Sequence, residues 1–280
     1  MEFKPLIFDI GSYKTRVGFQ SEDPPEFTFR TVIKKTENQE FLIGENALKE
    51  NQKEDLICPV QKRLIVDWEA FEEILKYTYD KLINQNKTDF PVFFIESCLN
   101  PKRKREKIAE IFFETFNSTH FFFSNQNFLS LLSTGNTSGI ILDSGESVSH
   151  VVSVYKGLTL RQTAIKLDFG GEQVDLYLKQ LLFQNGFHLD SFQSNLLKND
   201  KCFVKNNFQI DVEKEKEELY EFPDGKVVKI GKEKHLCTEI LFNPKLFGID
   251  SFGINFFYFL FIFYYFFIFE DLVKLLLNQD

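Results

Sequence analysis

Two stretches of the chain combine an aspartate, a glycine and hydroxyl groups at a spacing that could hold a phosphate. In Ile140–Tyr155, Asp143-Ser144-Gly145 separates a short apolar run from a β-branched run, which predicts a strand, a tight turn and a second strand. Glycine lets backbone N–H groups face an anion, serine adds a donor, and aspartate can hold a divalent ion through water. The same order is also typical of plain hairpin turns, so this stretch alone leaves both interpretations open.

A similar stretch near the N-terminus favours the phosphate interpretation. Leu6–Phe19 begins with an apolar run, continues with Asp9-Ile10-Gly11, and ends with a polar segment and a returning strand. Repeats within one chain point to related structural units. Two such hairpins, one in each half of the sequence, therefore predict two related lobes that hold the phosphate chain of a nucleotide.

Composition narrows the classes of function. The 280 residues are enough for one large domain or two ordinary ones with a sizeable core. The formal net charge of −8 argues against binding nucleic acid by bulk electrostatics. The four cysteines show no metal-ligand spacing, which indicates a reducing compartment, and the first residues lack the basic and apolar regions of a signal peptide.

The rest of the sequence predicts a succession of strands and helices. A helix begins after Asp67, its candidate N-cap, with Trp68 in the core, and Pro101 begins another. The other predicted elements are strands at Phe27–Ile33, Phe90–Ile95, Leu158–Leu167 and Lys226–Ile230, a strand passing into a short helix at Phe41–Ala47, and helices at Ser124–Leu132 and after Gly171.

Polar segments separate these elements. Lys34–Gln39 is predicted to be a loop, Phe187–Asp211 is polar and mixed without a predicted element, and Glu213–Glu221 is predicted to be a surface helix or loop. The run Lys102–Arg105 resembles a nuclear-localisation signal, but a solvated helix start accounts for it more simply.

Several segments between about Leu6 and Ile254 are similar to actin and the actin-related proteins. Phe8–Tyr13 and Ile65–Phe71 resemble the nuclear actin-related subunits of chromatin-remodelling and histone-acetyltransferase complexes. The segments that resemble conventional actin are Asn100–Lys102, Arg105–Lys107, Phe113–Asn117, the Asp143 hairpin with Tyr155–Gly157, Glu221–Gly225 and Ile230-Gly231. On these motifs the chain is identified as a member of the actin family.

The resemblance implies an α/β, two-lobed ATPase fold of ribonuclease H-like repeats, incomplete at its C-terminus. It places residues 1–30 and 60–132 in a first large subdomain and residues 31–59 in a shortened small subdomain. Residues 133–167 would start the second large subdomain, residues 168–250 would form the second small one, and residues 251–280 would be a Phe-rich tail outside the family.

The resemblance also implies a site for ATP or ADP with Mg²⁺. Asp9 and Asp143 correspond to carboxylates that hold Mg²⁺ through water, while Gln126 and His150 correspond to residues that position and activate an attacking water. Phosphoryl transfer relies on a metal, amide donors and an oriented water rather than on a covalent nucleophile. The other implied nucleotide-binding residues are Gly11, Ser12, Tyr13, Arg16, Ser144, Gly145, Glu146, Ser147, Val148 and Lys198.

The chain departs from the family at some of these positions. Tyr13 stands where actin has a phosphate-loop glycine, and Arg16 replaces a phosphate-binding lysine, which keeps the charge but changes its geometry. Lys198 matches an adenine-binding lysine, but Asn199 replaces its acidic neighbour. The segment Lys34–Phe41 is much shorter than the loop that joins actin protomers, which predicts poor polymerisation.

Fourteen uninterrupted apolar residues, 256–269, follow the point where the family likeness ends. A membrane-spanning helix needs about twenty. A C-terminal membrane anchor is one interpretation. Because the run is almost entirely Phe, Tyr and Ile, whose codons are AT-rich, the favoured interpretation is an intron read through as coding sequence, or a misjoined gene, in an AT-rich genome.

The leading expectation is a divergent, ATP-binding actin-family protein that polymerises poorly or not at all. It would be at most a slow ATPase, acting in the cytoskeleton or in a multiprotein complex with actin or other subunits. One alternative is a nuclear actin-related subunit of a chromatin-remodelling or histone-acetyltransferase complex, in which the nucleotide is structural. A further alternative is a truncated pseudo-actin that binds no nucleotide. The expected location is the cytoplasm, the nucleus or both, without direct nucleic-acid contact and with membrane contact only through the tail.

Overall fold

The computed structural model describes residues 4–21, 24–49, 56–82, 90–206 and 215–264. The chain forms two compact units. Unit 1 comprises Met1–Ile141 and Val152–Ala164, and unit 2 comprises Leu142–Val151 and Ile165–Asp280. The finer division into four subdomains stays a prediction.

Most of unit 1 is built from elements between residues 6 and 132. Its strands here are β1 (Leu6–Ile10), β2 (Lys14–Phe19), β3 (Phe27–Arg30), β4 (Ile33–Lys35), β5 (Phe41–Ile43), β6 (Leu56–Ile57), β7 (Val60–Gln61), β8 (Leu64–Ile65), β9 (Val92–Glu96) and β10 (Phe121–Asn125). Its helices are α1 (Glu45–Lys49), α2 (Trp68–Leu82), α3 (Lys102–Glu110), which continues as a π-helical turn over Ile111–Thr115, and α4 (Gln126–Leu132).

A five-stranded sheet in the order β10-β9-β1-β2-β3 forms the centre of unit 1. β1 and β2 are the predicted antiparallel hairpin, and β9 runs parallel to both β1 and β10. Phe8 and Phe94 on this sheet pack against Phe71 of α2 and Phe112 of the π-helical turn. This aromatic core fixes the edge of the sheet where the carboxyl ends of β1, β9 and β10 meet.

The helix starts in unit 1 follow the sequence closely. Asp67 caps α2 as predicted, because its carboxylate accepts the Ala70 N–H at 3.0 Å. Trp68 is partly buried against the core, with Lys107 Nζ 4.5 Å from the centre of its ring. Pro101 is the N-cap of α3 rather than its first residue, a difference of one position.

The predicted strand Phe27–Ile33 is wrong as a single element. β3 ends at Arg30 in the large sheet, while β4 begins at Ile33 and pairs with β5 and β6. The chain turns at Thr31, whose N–H donates to the Tyr13 carbonyl at 3.0 Å. Lys34 consequently lies in a strand rather than in the predicted loop.

The predicted helix Ser124–Leu132 begins two residues later in the structure. Ser124 and Asn125 end β10, where they pair with Ile95 and Glu96 of β9. The Asn125 side chain accepts the N–H of Asn127 at 3.0 Å, which makes it the N-cap of α4.

The second predicted hairpin is present, and its residues are shared between the two units. The strands are β11 (Gly139–Ser144), β12 (Ser149–Tyr155), β13 (Leu158–Thr159) and β14 (Ile165–Leu167), with β12 paired to the other three. The single strand predicted over Leu158–Leu167 is wrong, because a 3₁₀ turn begins at Arg161. The Arg161 guanidinium donates to the carbonyl oxygens of Cys98 and Asn100, and these bonds hold the chain in the turn instead of in an extended strand.

Unit 2 continues with helices around one β-hairpin. The remaining elements are α5 (Gly171–Gln184), α6 (Ser191–Lys201), β15 (Glu218–Glu221), β16 (Val227–Ile230), α7 (Glu233–Glu239), a 3₁₀ helix over Pro244–Phe247, and α8 (Ile254–Tyr264). Leu178 and Leu182 of α5, Leu197 of α6 and Ile230 of β16 share one buried core.

Two polar segments of unit 2 contain elements that the sequence did not predict. Ser191–Lys201 is helical, and Asp190 and Gln193 form a reciprocal capping box at its start. Glu218–Glu221 is a strand rather than a surface helix or loop. Residues 213–214 of that predicted segment, and residues 265–269 of the apolar run, lie outside the described residues. Within the described part of the chain, no helix is long and apolar enough to cross a membrane.

Candidate functional site

The first hairpin, Asp9–Lys14, turns tightly at its glycine. The Gly11 N–H donates to the Lys14 carbonyl at 3.0 Å, and a Cβ on Gly11 would lie 3.1 Å from that same oxygen. Ser12 and Tyr13 form the tip between them. Glycine therefore permits the backbone closure that brings Asp9 to the start of the turn.

Asp9 and Arg16 face each other across β1 and β2. They are register partners, and Arg16 Nη1 lies 3.2 Å from Asp9 Oδ2. A pocket of about 220 Å³ adjoins this pair and is also lined by Gly18, Phe19 and Pro25. Arg16, which replaces the family lysine, thus contacts Asp9, the carboxylate that was assigned to Mg²⁺. The sequence did not predict this pairing.

Two further arginines hold the tip of the first hairpin, and neither was predicted to contribute. The Arg30 guanidinium carbon lies 3.7 Å from the centre of the Tyr13 ring, a cation–π contact. The Arg63 N–H donates to Ser12 Oγ at 3.3 Å. Lys62 and Arg63 have φ of 48° and 61°, the left-handed region uncommon for such residues. The basic tip of the β7–β8 hairpin is therefore held in an unusual backbone conformation beside Ser12.

The second hairpin, Asp143–Val148, closes in the same way as the first. The Gly145 N–H donates to the Val148 carbonyl at 2.9 Å. Ser144 Oγ lies 2.8 Å from Ser149 Oγ, which in turn donates to the Phe169 carbonyl. Because each hairpin places an aspartate two residues before the glycine that closes the turn, the internal repeat seen in the sequence extends to backbone hydrogen bonding.

The start of α5 lies directly against the second hairpin. The N–H groups of Gly171 and Glu172 donate to the carbonyls of Gly145 and Glu146 at 3.0 and 2.7 Å. A Cβ on Gly170 would lie 2.3 Å from the Gly145 oxygen. Glycine at position 170 is therefore a requirement of close backbone approach, and it fixes the second hairpin to a helix N-terminus.

Lys198 joins α6 to α5 and to the second hairpin. Its Nζ donates to Asp175 Oδ2 at 2.7 Å and to the Gly171 carbonyl at 3.0 Å, and it lies 3.7 Å from Glu146 Oε2. The Lys198 and Asp175 side chains are 13% and 11% exposed. The residue assigned to adenine thus already makes an internal ion pair with Asp175, which the sequence did not single out.

Gln126 and His150 belong to units 1 and 2 respectively. Gln126 is the first residue of α4, and its Oε1 is a buried acceptor with no hydrogen-bond partner in the described part of the chain. His150 lies on β12, is 2% exposed and pairs in register with Lys166 of β14. A buried acceptor normally receives a hydrogen bond, and a water molecule or a ligand N–H could donate one to Gln126 Oε1.

A buried carboxylate, Glu96, lies at the carboxyl end of β9 and was missed by sequence reasoning. Arg105 Nε is 3.0 Å away, and Asn100 Nδ2 donates to Glu96 Oε2 at 3.1 Å. Burial raises the pKa of Glu96 above its ordinary value, partly offset by Asn100 and Arg105. The residues of the basic run of α3 therefore differ in environment. Lys102 and Arg103 are exposed, whereas Arg105 pairs with the buried Glu96.

Comparison with known proteins identifies the family. A family model described as Actin matches residues 1–194 and 194–253. The chain belongs to the actin family. A curated relative named "Putative actin-29", from Dictyostelium discoideum, is 32% identical over 272 residues, covering 89% of this chain and 70% of that protein. The predicted membership and the α/β actin-like fold are confirmed, and this family generally binds ATP or ADP with Mg²⁺.

Each unit, taken by itself, carries residues of the kind that suit a phosphate group with Mg²⁺. Asp9 and Asp143 supply oxygen donors of the kind that Mg²⁺ prefers, one at each glycine turn. The Oε1 atom of Gln126 is a buried acceptor without a hydrogen-bond partner among the described residues. At Gly170 the backbone packs directly against the second hairpin, with no side chain between them. The described residues hold no cluster of three or more His, Cys, Asp or Glu side chains suited to a metal.

Proposed function

We propose that this actin-family chain binds ATP or ADP with Mg²⁺ through its two glycine hairpins. The observation that carries the proposal is their common geometry: hydrogen bonds of 3.0 Å at Gly11 and 2.9 Å at Gly145 close turns that each follow an aspartate. Such turns suit an anion, because backbone amides contribute donors without a side chain in the way. The family relationship supports the same conclusion.

The proposed binding residues divide between the two units. In unit 1, Asp9 would hold the metal through water while Gly11, Ser12, Tyr13 and Arg16 contact phosphate. In unit 2, Asp143 has the matching metal role. The second-unit binding residues are Ser144, Gly145, Glu146, Ser147, Val148 and Lys198. Bound Mg²⁺ would neutralise charge on the phosphate oxygens.

Any hydrolysis would be slow and would depend on Gln126 and His150. Gln126 Oε1 is suited to accept a hydrogen bond from a water molecule, because it is buried and lacks a partner among the described residues. His150 is buried on β12 and is the residue that the family resemblance assigns, with Gln126, to the attacking water. Both residues act by orientation, the main protein contribution to phosphoryl transfer.

The first test measures nucleotide affinity and phosphate release with the Gln126→Ala variant. We expect Gln126→Ala to retain ATP affinity and to lower the phosphate-release rate by about tenfold or more, because it removes an orienting acceptor. Gln162→Ala, at an exposed glutamine, is the matched control and should behave like the parent. Equal rates for Gln126→Ala and the parent would contradict catalysis, and the absence of ATP binding would contradict the proposal as a whole.

A second candidate is a nuclear actin-related subunit whose nucleotide is structural. The segment Phe8–Tyr13 favours it through its resemblance to nuclear actin-related proteins, and Tyr13 is held by the stacked Arg30 guanidinium. In that case nucleotide would remain bound through purification, and phosphate release would be undetectable in both the parent and Gln126→Ala.

A third candidate is a pseudo-actin that binds no nucleotide. The pairs Asp9–Arg16 and Lys198–Asp175 favour it, because residues assigned to ligand make internal contacts instead. Titration with a fluorescent ATP analogue separates this candidate from the other two, since only the pseudo-actin would give no saturable signal.

We further propose that the chain works as a poorly polymerising subunit beside actin or other proteins. The short β4–β5 hairpin supports this, because by resemblance its segment corresponds to the much longer loop that joins protomers in actin filaments. The proposed locations are the actin cytoskeleton, the nucleus or both. Fluorescence microscopy of the tagged full chain, combined with mass spectrometry of co-purified proteins, tests the location and the partners.

A further inference from the structure

Arg30 is a partly buried cation at the tip of the first hairpin, and its Nε is buried without a hydrogen-bond partner among the described residues. Arg105 and Arg161 show the usual arrangement of an arginine. Arg105 pairs with Glu96, and Arg161 donates to two backbone carbonyls. Within the part of the chain that the structure describes, the Arg30 guanidinium meets neither a carboxylate nor a carbonyl. Because a charge drawn partly out of water is costly unless an acceptor meets it, Arg30 is suited to receive an anion.

The fold fixes Arg30 beside the loop to which phosphate binding is assigned. Arg30 ends β3 as the register partner of Lys14 on β2. The next residue, Thr31, donates its N–H to the Tyr13 carbonyl at 3.0 Å. The guanidinium carbon lies 3.7 Å from the centre of the Tyr13 ring, a cation–π contact that restricts where the side chain can point. Backbone and side chain therefore both hold Arg30 at the Ser12–Tyr13 tip.

Two more basic residues lie at this tip. Lys14 Nζ is 5.6 Å from the centre of the same Tyr13 ring, and the Arg63 N–H donates to Ser12 Oγ at 3.3 Å. A guanidinium presents its N–H donors as a fork that matches two oxygens of a phosphate, whereas an ammonium acts as a point charge. A phosphate is therefore the anion that best fits Arg30 in these surroundings.

We propose that Arg30 binds phosphate oxygens of the bound nucleotide, in addition to the contacts that the family resemblance assigns to the first hairpin. The inference rests on the proposed binding of ATP or ADP, and it adds a residue to which the resemblance gives no role. Because Arg16 shares its charge with Asp9 at 3.2 Å, Arg30 would supply positive charge that Arg16 cannot give in full. The Tyr13 ring would hold the guanidinium in place beforehand, which lowers the entropy lost on binding.

Displacement of a fluorescent ATP analogue from the full chain, by ATP and by ADP, tests the inference. Arg30→Met removes the charge but keeps an unbranched side chain that can pack on the Tyr13 ring. We expect it to raise the dissociation constants of both nucleotides by about tenfold or more, because hydrogen bonds to a charged group are lost. Arg103→Met, at an exposed arginine of the same unit, is the matched control and should bind like the parent.

Salt dependence separates a phosphate contact from a structural role of Arg30. The affinity of Arg30→Met for ATP should fall less steeply than that of the parent as KCl is added, because one ionic contact is gone. Arg30→Lys keeps the charge without the fork and should recover part of the affinity. Thermal unfolding without nucleotide checks that each variant is folded.

Three results would overturn the inference, and they separate it from the proposed function. A parent that binds ATP while Arg30→Met binds it equally well would overturn the inference alone. Weaker binding by Arg30→Met with the salt dependence of the parent and a lower thermal midpoint would do the same, because the arginine would then only support the hairpin. A parent that binds neither ATP nor ADP would overturn the proposed function together with this inference.

Discussion

Lys198 is the residue at which structural and ligand-binding roles can be separated most directly. Its Nζ lies 2.7 Å from Asp175 Oδ2, and both side chains are largely buried. Removing one partner of a buried ion pair costs about 3–5 kcal/mol, because the other charge is left uncompensated. We therefore expect Lys198→Met to lower the free energy of unfolding by about that amount in the absence of nucleotide, as measured by urea denaturation.

Two further variants make that measurement specific. The double variant Lys198→Met/Asp175→Leu removes both charges and should recover most of the lost stability. Lys245→Met, at an exposed lysine of the same unit, should change the stability by less than about 0.5 kcal/mol. A Lys198→Met variant as stable as the parent without nucleotide would show that the internal ion pair contributes nothing.

Local sequence predicts individual site residues only when their partners lie nearby in the chain. Asp9 with Gly11, and Asp143 with Gly145, form patterns within three residues, and both turns occur as predicted. The Arg63 N–H that reaches Ser12 comes from 51 residues away. No local pattern encodes such a contact, because it depends on how separate strands pack. The roles assigned to Gln126 and His150 stay predictions.

At the scale of elements, apolar periodicity predicted the helices and strands that pack on a core, and it missed those that are held by polar contacts. The helices α2 and α5 and both glycine hairpins place regularly spaced apolar residues inside, and each was predicted. Helix α6 was missed because its segment is dominated by polar residues, although its capping box, Asp190 with Gln193, is visible in the sequence. Strand β15 was missed because its segment is rich in charge, although one of its glutamates, Glu218, pairs with Lys201 and Lys234.

The charged network around β15 predicts how acid affects unit 2. Glu215 contacts Lys205 and lies 3.0 Å from Lys234 Nζ, and these ammonium groups lower the pKa of Glu215 from 4.5 to about 2. A carboxylate whose pKa is depressed by folding adds stability above pH 4.5 and loses that contribution as the pH falls to about 2. We expect the thermal midpoint of unit 2 to fall across this window.

The contribution of Glu215 can be isolated by a matched pair of variants. Glu215→Gln should flatten the fall in thermal midpoint between pH 4.5 and about 2, because the group that titrates is gone. Glu217→Gln removes a neighbouring carboxylate whose pair with Lys229 is exposed, and it should leave the pH profile unchanged. Identical profiles for Glu215→Gln and the parent would contradict a role for this network in acid stability.

At the scale of the whole molecule, two surfaces bear on the prediction that this chain polymerises poorly. The β4–β5 hairpin is closed by a Thr36 N–H that donates to the Glu40 carbonyl at 2.8 Å and by a Gln39 N–H that donates to the Thr36 carbonyl at 2.9 Å. These bonds leave no extended loop to reach another protomer. Helix α8, in contrast, exposes an apolar surface that can associate without specificity. Family membership alone therefore does not predict a filament.

The last prediction concerns polymerisation of the full chain with ATP, Mg²⁺ and KCl. We expect the protein to remain in the supernatant after high-speed centrifugation, because its tight Thr36–Glu40 turn cannot provide the protomer contact that the longer family loop makes. The α8 variant, Phe256→Ser/Phe259→Ser/Leu260→Ser, should be measured in parallel, since a pellet that this variant abolishes would reflect apolar association through α8. A pellet that persists in the α8 variant and shows regular filaments by electron microscopy would contradict the prediction. It would also mean that other surfaces of the chain are enough to join protomers.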